Sequence, residues 1–349
     1  AGECCCFHST SIALKKQHSV WNVCYSFSMA HIYVTRNIPE AGLALLKEAG
    51  HTVTVSEKDD VLTREELLSA LKEEAYDAVL CTLNNTIDGE VMDAAPTVKI
   101  FANYAVGYDN IALDAARERG VTITNTPGVL TDAVAEHAVA LMFSLARRVP
   151  ESDRFVRAGK YTGWGPMLLL GTQLKGSTLG LLGAGRIGTR VAELVSCVGM
   201  QVLYYDVKRN EELEKTTGAV FQDTAEGVLQ NADFVSVHVP LLDSTRHLLN
   251  ADRLALMKKT AFLINTSRGP VVDEAALVSA LQAGTIRGAA LDVFEEEPKL
   301  APGLAELENV ILTPHTASAT EVARGAMSRI AAENILAHLR GEQPENKVA

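Results

Sequence analysis

Long apolar runs are missing from this chain: no stretch approaches the roughly 18 consecutive apolar residues that cross a bilayer as a helix. A membrane is therefore not an expected partner. Positive charge is scarce as well. Against 43 Asp and Glu stand 32 Lys and Arg, and the net charge of −11 opposes binding to nucleic acid. A small anion is not excluded, because a local cluster of donors can oppose the global field. Cysteine is sparse wherever the chain looks globular. Of 6 cysteines, Cys4, Cys5, Cys6 and Cys24 fall in the first 28 residues, which leaves Cys81 and Cys197 for the remainder. That usage supports no disulfide framework and fits a reducing compartment, the cytoplasm. The run Cys4 to Cys6 has no second Cys/His cluster at ligand spacing, so no metal is expected. Lys15 and Lys16 precede only the short, interrupted run Val20 to Tyr25, which does not make a signal peptide. We read residues 1–28 as an appended, disordered leader without function, with a natural start at Met29.

From Met29 the chain alternates short apolar runs with helical periodicity. His31 to Thr35 reads as a strand, Pro39 to Ala49 as a helix stopped by Gly50, and Thr52 to Val55 as a second strand. Thr63 and Glu66 stand at capping-box spacing before Leu67, Leu68 and Leu71. Ala78 to Cys81, Val98 to Phe101 and Val121 to Thr124 read as further buried strands. Thr131 is the N-cap candidate of a long helix running to Arg148, with Val134, Ala138, Leu141, Met142 and Leu145 on one face. His137 shares that face and is expected to be a packed helix histidine. Residues Trp164 to Gly171 lack either period; they lie over a cleft or against a second subunit. Later strands are expected at Val235 to Val237, Ala261 to Ile264, Ala289 to Leu291 and Val310 to Leu312, and a last helix within Ser318 to Arg340 that returns to the first domain. Near-continuous apolar strands between helices indicate parallel sheets covered on both faces. The expected class is α/β, with two Rossmann-like or flavodoxin-like parallel-sheet domains and a cleft between them. Residues 29–127 with 317–349 would form a substrate domain, and residues 128–316 a dinucleotide-binding domain.

The second domain would open on the strand Thr178 to Leu182 and the turn Gly183-Ala184-Gly185-Arg186-Ile187-Gly188, followed by a helix-prone stretch. In this fingerprint the first glycine permits the tight turn, the second admits a pyrophosphate against the backbone, and the third lets helix pack on strand. An acid, Asp206, closes the next strand eighteen positions beyond Gly188, where a carboxylate takes ribose hydroxyls and repels a 2′-phosphate. NAD is the expected cofactor. NADP stays open because Lys208 and Arg209 follow directly.

Reduction of a carbonyl needs a substrate anchor, a proton donor and a group behind that donor. Arg268 ends one strand, and its planar fork suits a carboxylate and an adjacent carbonyl oxygen. His315 ends another, with an unperturbed pKa near neutrality. The run Asp292 to Pro298 offers carboxylates, one of which would stand behind His315. In the loop Asn103 to Asn110 the amides of Val106 and Gly107 are candidate carboxylate donors.

These motifs, taken in order with Asn265-Thr266-Ser267-Arg268-Gly269, Asp292-Val293-Phe294-Glu295-Glu296-Glu297-Pro298 and Pro314-His315, resemble the D-isomer-specific 2-hydroxyacid dehydrogenases over essentially all of residues 29–349. Within that family, residues 103–110 and 124–131 are most similar to glyoxylate and hydroxypyruvate reductases. The resemblance implies that Arg268 binds the substrate carboxylate and carbonyl, that His315 protonates the keto oxygen, and that Glu297 is its partner. Glu295 and Glu296 would be bystanders on a solvated loop. Val106 and Gly107 would hold the substrate carboxylate. Gly183, Gly185, Arg186, Ile187, Gly188, Asp206, Val239, Pro240, Thr245, Thr266 and Asp292 would line the cofactor, and His238 would be structural. The family often has a glycine where this chain has Ala317, within Thr316-Ala317-Ser318. The expected partner is a small 2-keto or 2-hydroxy acid, and the expected assembly a homodimer. Phosphoglycerate dehydrogenase and an NAD-sensing corepressor are the alternatives.

Overall fold

The computed structural model describes residues 29–349, and the leader assigned to residues 1–28 lies outside the described residues. The first unit alternates strand and helix: β1 (His31–Val34), α1 (Glu40–Glu48), β2 (Thr52–Val55), α2 (Arg64–Glu73), β3 (Ala78–Thr82), α3 (Gly89–Ala94), β4 (Ile100–Tyr104), α4 (Leu113–Arg119) and β5 (Thr122–Thr124). Two helices, α5 (Thr131–Ala146) and α6 (Val149–Arg157), lead into β6 (Thr178–Leu182), α7 (Arg186–Ser196), β7 (Gln201–Tyr205), α8 (Glu211–Thr217) and β8 (Val220–Phe221). There follow α9 (Ala225–Asn231), β9 (Phe234–Val237), α10 (Ala251–Ala255), β10 (Phe262–Asn265), α11 (Glu274–Gln282), β11 (Gly288–Leu291), β12 (Val310–Leu312) and α12 (Glu321–Leu339).

The strands form two sheets, ordered β2-β1-β3-β4-β5 and β12-β11-β10-β9-β6-β7-β8, with every pairing between them parallel. Each order reverses once, at β1/β3 and at β6/β9, and ligands of such sheets bind outside the carboxyl ends of the strands at that switch point. Sequence explains the central strands directly. β4 is buried along its whole length and β9 likewise, because helices cover both faces and water reaches neither. The capping box at α2 is complete: Thr63 Oγ1 accepts from the amide of Glu66, and Glu66 Oε2 accepts from the amide of Thr63.

The last helix returns to the first unit. Leu43 and Leu46 of α1 and Met327, Ala331 and Ile335 of α12 share one apolar cluster with β1, β3 and β4. Gly42 allows that approach, since a Cβ there would stand 2.1 Å from the carbonyl oxygen of Ser328. Its amide donates to Ser328 Oγ at 3.0 Å. The chain end is held as well, with Val348 donating to Ile123 across the edge of β5. Among the described residues no helix is long and apolar enough to cross a membrane.

Four local expectations need correction. Thr131 is the first helical residue, not the cap: Leu130 occupies that position and no side chain closes the helix start. The long helix stops at Ala146, and α6 starts after Arg148, whose φ of 54° breaks the run. Helix α6 was not foreseen because it buries no residue and so carries no core-facing stripe. The strand expected at Val98 begins at Ile100 and continues to Tyr104. Residues 164–171 are irregular, as their sequence suggests, but none of them lines the cleft.

Gly42→Ala is expected to destabilise the fold by about 1–3 kcal/mol through overpacking at the α1–α12 contact. Denaturant titration checks this, and an unchanged midpoint would show that the two helices can separate without cost.

Candidate active site

The turn after β6 has the shape that a dinucleotide requires. Gly183 has φ of 99°, and a Cβ there would press within 2.7 Å of the His238 backbone. A Cβ on Gly188 would fall 2.2 Å from the Gly183 carbonyl oxygen. Gly185 is different: nothing lies within 4 Å of its Cβ position, so space is open where a pyrophosphate would rest. No side chain caps α7, and its first amides face that space with the positive end of the helix dipole. Thr266 adds a buried hydroxyl without a hydrogen-bond partner at the edge of the same cleft. These residues fit a dinucleotide.

At the ribose end, Asp206 follows β7 and receives the amide of Ala184 at 2.7 Å and that of Lys208 at 3.3 Å. The carboxylate is thereby fixed beside the glycine turn. Arg209 is turned away from it, bound through two nitrogens to Glu214 at 2.8 Å each. Arg209 and the Tyr204 hydroxyl pull the Glu214 carboxyl down to about 2. Lys208 is the cation left beside Asp206.

The other end of the cleft is assembled from both sheets. Arg268, just past β10, sends its guanidinium onto the loop that follows β4, so closely that a Cβ at Gly107 would lie 1.7 Å from Nη2. Arg268 Nε donates to Asp109 Oδ1 at 3.0 Å, and Nη1 donates to the Ser267 carbonyl at 2.9 Å. Nη2 stays on the Gly107 side. The loop itself is tied down by Asn103, whose amide donates to the Gly107 carbonyl at 2.9 Å, and by Asn125, which donates to the Val106 carbonyl at 2.8 Å. With their carbonyls so engaged, the Val106 and Gly107 peptides hold a fixed orientation at the cleft.

His315 stands opposite, past β12. Its Nδ1 is 2.9 Å from Glu297 Oε2, and the other carboxylate oxygen of Glu297 accepts the Phe294 amide at 3.1 Å. An ionised carboxylate only accepts, so the Nδ1 proton points to Glu297 and Nε2 is left for the cleft. His315 has φ of 54°, a left-handed conformation that costs about 1–2 kcal/mol for a residue with a Cβ. Asp292 holds that turn. Fully buried, it accepts Thr313 Oγ1 at 2.6 Å and the amides of Thr316 and Ala317 at 2.8 Å each, with His137 Nε2 at 3.4 Å. Burial alone pushes the Asp292 carboxyl up, yet His137, Thr313 and the two amides together hold it below the usual range.

Val106, Gly107, Arg186, Ile187, Val239, Pro240, Thr266, Arg268 and His315 line one cavity of about 610 Å³ between the two sheets. Gly183, Gly185, Gly188 and Asp206 belong to the adjoining turn, and Glu297 lies behind His315. Two residues expected to line the cofactor make bonds within the protein. Asp292 is engaged beneath the His315 turn, where Oδ1 accepts from Thr313 and Thr316 and Oδ2 from the Ala317 amide. Thr245 closes the turn beside Pro240, donating to the Pro240 carbonyl at 2.6 Å and accepting from the Leu242 amide. Glu295 is no bystander: it accepts from the Glu274 amide and meets His247 Nε2 at 2.5 Å, while Glu296 is exposed. Asp109 carried no sequence signal of its own, since its partner is 159 residues away. Among the described residues, no group of three His, Cys, Asp or Glu is placed to hold a metal ion.

Fold and site together define a two-domain, pyridine-nucleotide-dependent oxidoreductase. A family model for the NAD binding domain of D-isomer specific 2-hydroxyacid dehydrogenases matches residues 139–317, and the chain belongs to that family. It is 49% identical over 316 residues to a glyoxylate reductase of Thermofilum pendens, covering 90% of this chain and 92% of that protein. A glyoxylate reductase of Korarchaeum cryptofilum is 47% identical, with 91% and 95% covered. Among solved structures, the TT0316 protein from Thermus thermophilus superposes with a TM-score of 0.85 at 43% identity, covering 91% of this chain and 100% of that one. The NADPH-dependent glyoxylate/hydroxypyruvate reductase of Sinorhizobium meliloti, solved with NADP and malonate, gives 0.80 at 35% identity, with 92% and 97% covered.

His238, beneath the glycine turn, generates a prediction about acid stability. Its Nε2 lies 2.8 Å from Ser236 Oγ, and loss of solvent pushes its pKa from 6.5 down to about 4. The unfolded chain then binds the extra proton between those values, so this contribution is complete above pH 6.5 and is lost as the pH falls toward 4. Denaturation midpoints at pH 7 and pH 4.5 should show a steeper fall in the wild type than in His238→Gln; parallel falls would contradict the assignment.

Proposed function

We propose that the chain reduces glyoxylate and hydroxypyruvate to glycolate and D-glycerate. The observation that carries this reading is the convergence of Arg268, the Val106–Gly107 loop and the Glu297–His315 pair on one cavity. Arg268 Nη2 and the two loop amides bind the substrate carboxylate. His315 Nε2 protonates the keto oxygen, and Glu297 orients the ring and pairs with it while it is protonated. Asp292 holds the His315 turn and, with Thr245, would line the cofactor. The chemistry expected of the bound dinucleotide is hydride donation to C2. Gly183, Gly185, Gly188 and the start of α7 would hold its pyrophosphate, with Arg186, Ile187, Val239, Pro240 and Thr266 toward the nicotinamide. Closure of the two walls would exclude water and bring the reactants into register.

NAD is the preferred cofactor in this reading. Asp206 repels a 2′-phosphate, and Arg209, engaged by Glu214, is not free to offset it. Residues 29–127 with 317–349 serve as the substrate unit and 128–316 as the nucleotide unit, in a cytoplasmic homodimer. The apolar surface for a second copy is Val156, Trp164, Met167 and Leu170, which are at least half exposed on α6 and the irregular segment after it.

Steady-state assays with glyoxylate, hydroxypyruvate, pyruvate and phosphohydroxypyruvate, each with NADH and NADPH, test the proposal. Turnover of the first two is expected; dinucleotide binding without any turnover would instead support a nucleotide-sensing protein. His315→Ala and Glu297→Gln should lower kcat by about a hundredfold or more, and Arg268→Ala should raise KM and lower kcat together. Wild-type kinetics in any of these variants would overturn its role. Asp206→Ser should lower the NADPH KM relative to that of NADH, and an unchanged ratio would remove Asp206 from cofactor selection.

A further inference from the structure

Arg324 lies in the first turn of α12, and with Met327 one turn later it lines the same cavity as Arg268 and His315. Its position is fixed. Thr320 caps the helix by accepting the Ala323 amide at 3.1 Å, and the Tyr104 hydroxyl from β4 donates to the Arg324 carbonyl at 2.7 Å. The guanidinium is not so satisfied: Nε is buried with no hydrogen-bond partner. Among the described residues the one acid lining this cavity is Asp109, and it is taken by Arg268. His315 has Glu297 behind it. Arg324, like Arg186 at the start of α7, lines the cavity without a side-chain ion pair, and of the two it is Arg324 that carries a buried donor left unmatched, which is costly unless a ligand meets it.

A 2-keto acid brings three places for polar contact. Its carboxylate is assigned to Arg268 with the Val106–Gly107 amides, and its keto oxygen to His315. What remains is the substituent on C3, absent in glyoxylate, a methyl in pyruvate and a hydroxymethyl in hydroxypyruvate. Building on the keto-acid reduction proposed above, we infer that Arg324 is the specificity-determining residue for the far end of the substrate, donating to an oxygen on C3. A C3 hydroxyl then meets Arg324 directly and glyoxylate leaves the C3 position open to a water that can do so, whereas pyruvate fills it with a methyl and leaves Arg324 unmatched. A site that hydrogen-bonds a hydroxyl rejects the analogue without it, because the protein group is left buried and unpaired.

The test is the ratio of kcat/KM for hydroxypyruvate over pyruvate, measured with NADH in the wild type, Arg324→Met and Arg324→Lys. The wild type should favour hydroxypyruvate, Arg324→Met should reduce the ratio by about ten- to a hundredfold, chiefly through KM for hydroxypyruvate, and Arg324→Lys should restore part of it. A ratio unchanged in Arg324→Met, or a fall in both substrates that leaves the ratio intact, overturns the assignment, and the Lys variant gives the same reading should the Met variant fail to fold. Failure of the underlying reading looks different, since the wild type would then reduce neither keto acid.

Discussion

Arg268 reaches from the carboxyl end of β10 onto the loop after β4, and only a glycine at position 107 leaves room for its guanidinium. The two sheets have separate cores and separate switch points, so neither alone could bind a small 2-keto acid from both sides. The Arg268–Asp109 pair couples them at 3.0 Å. With both side chains partly open to solvent, that pair is worth about 1 kcal/mol or less to stability. Its consequence is orientation. Nε and Nη1 are occupied by Asp109 and the Ser267 carbonyl, which leaves Nη2 against the Val106–Gly107 loop. Gly269 continues the constraint, because a Cβ there would fall 1.9 Å from the Phe294 carbonyl and push apart the Arg268 and Glu297 segments.

The opposite wall is organised around a buried carboxylate. Asp292 gathers Thr313, Thr316, Ala317 and His137, and those bonds hold His315 in a conformation that its side chain disfavours. Backbone strain of that kind persists where surrounding bonds over-determine it, and such places are commonly functional. Glu297 then has only to hold a ring that is already aimed. Arg268 and His315 are thus set by partners behind them, and a protein of net charge −11 presents a locally cationic cleft.

Much of this was readable from residue order. β6, the Gly183–Gly188 turn and β7 announce themselves because a buried parallel strand is a run of apolar residues and the turn tolerates only glycine at fixed offsets. Arg268, Glu297 and His315 were legible as chemistry at strand ends and through the family pattern. Helix α6 was not, since it faces no core, and neither was β8, a two-residue edge strand. Asp109 and Arg324 were invisible for another reason. An acid in a loop and an arginine on a helix are ordinary alone; their meaning lies in a partner 159 residues away and in a cavity closed by the last helix. The expected place of Asp292 at the cofactor comes from the family pattern, and its hold on the His315 turn was not legible because its partners Thr313, Thr316 and Ala317 lie 21, 24 and 25 residues on.

The proposed anion site is tested most directly by a crystal structure with the reduced dinucleotide and oxamate, a non-reactive isostere of a 2-keto acid. The oxamate carboxylate should lie between Arg268 Nη2 and the amides of Val106 and Gly107, with the adjacent carbonyl oxygen on His315 Nε2. A carboxylate held by residues of one sheet alone, or bound away from Arg268, would contradict the assembly of one site from two domains.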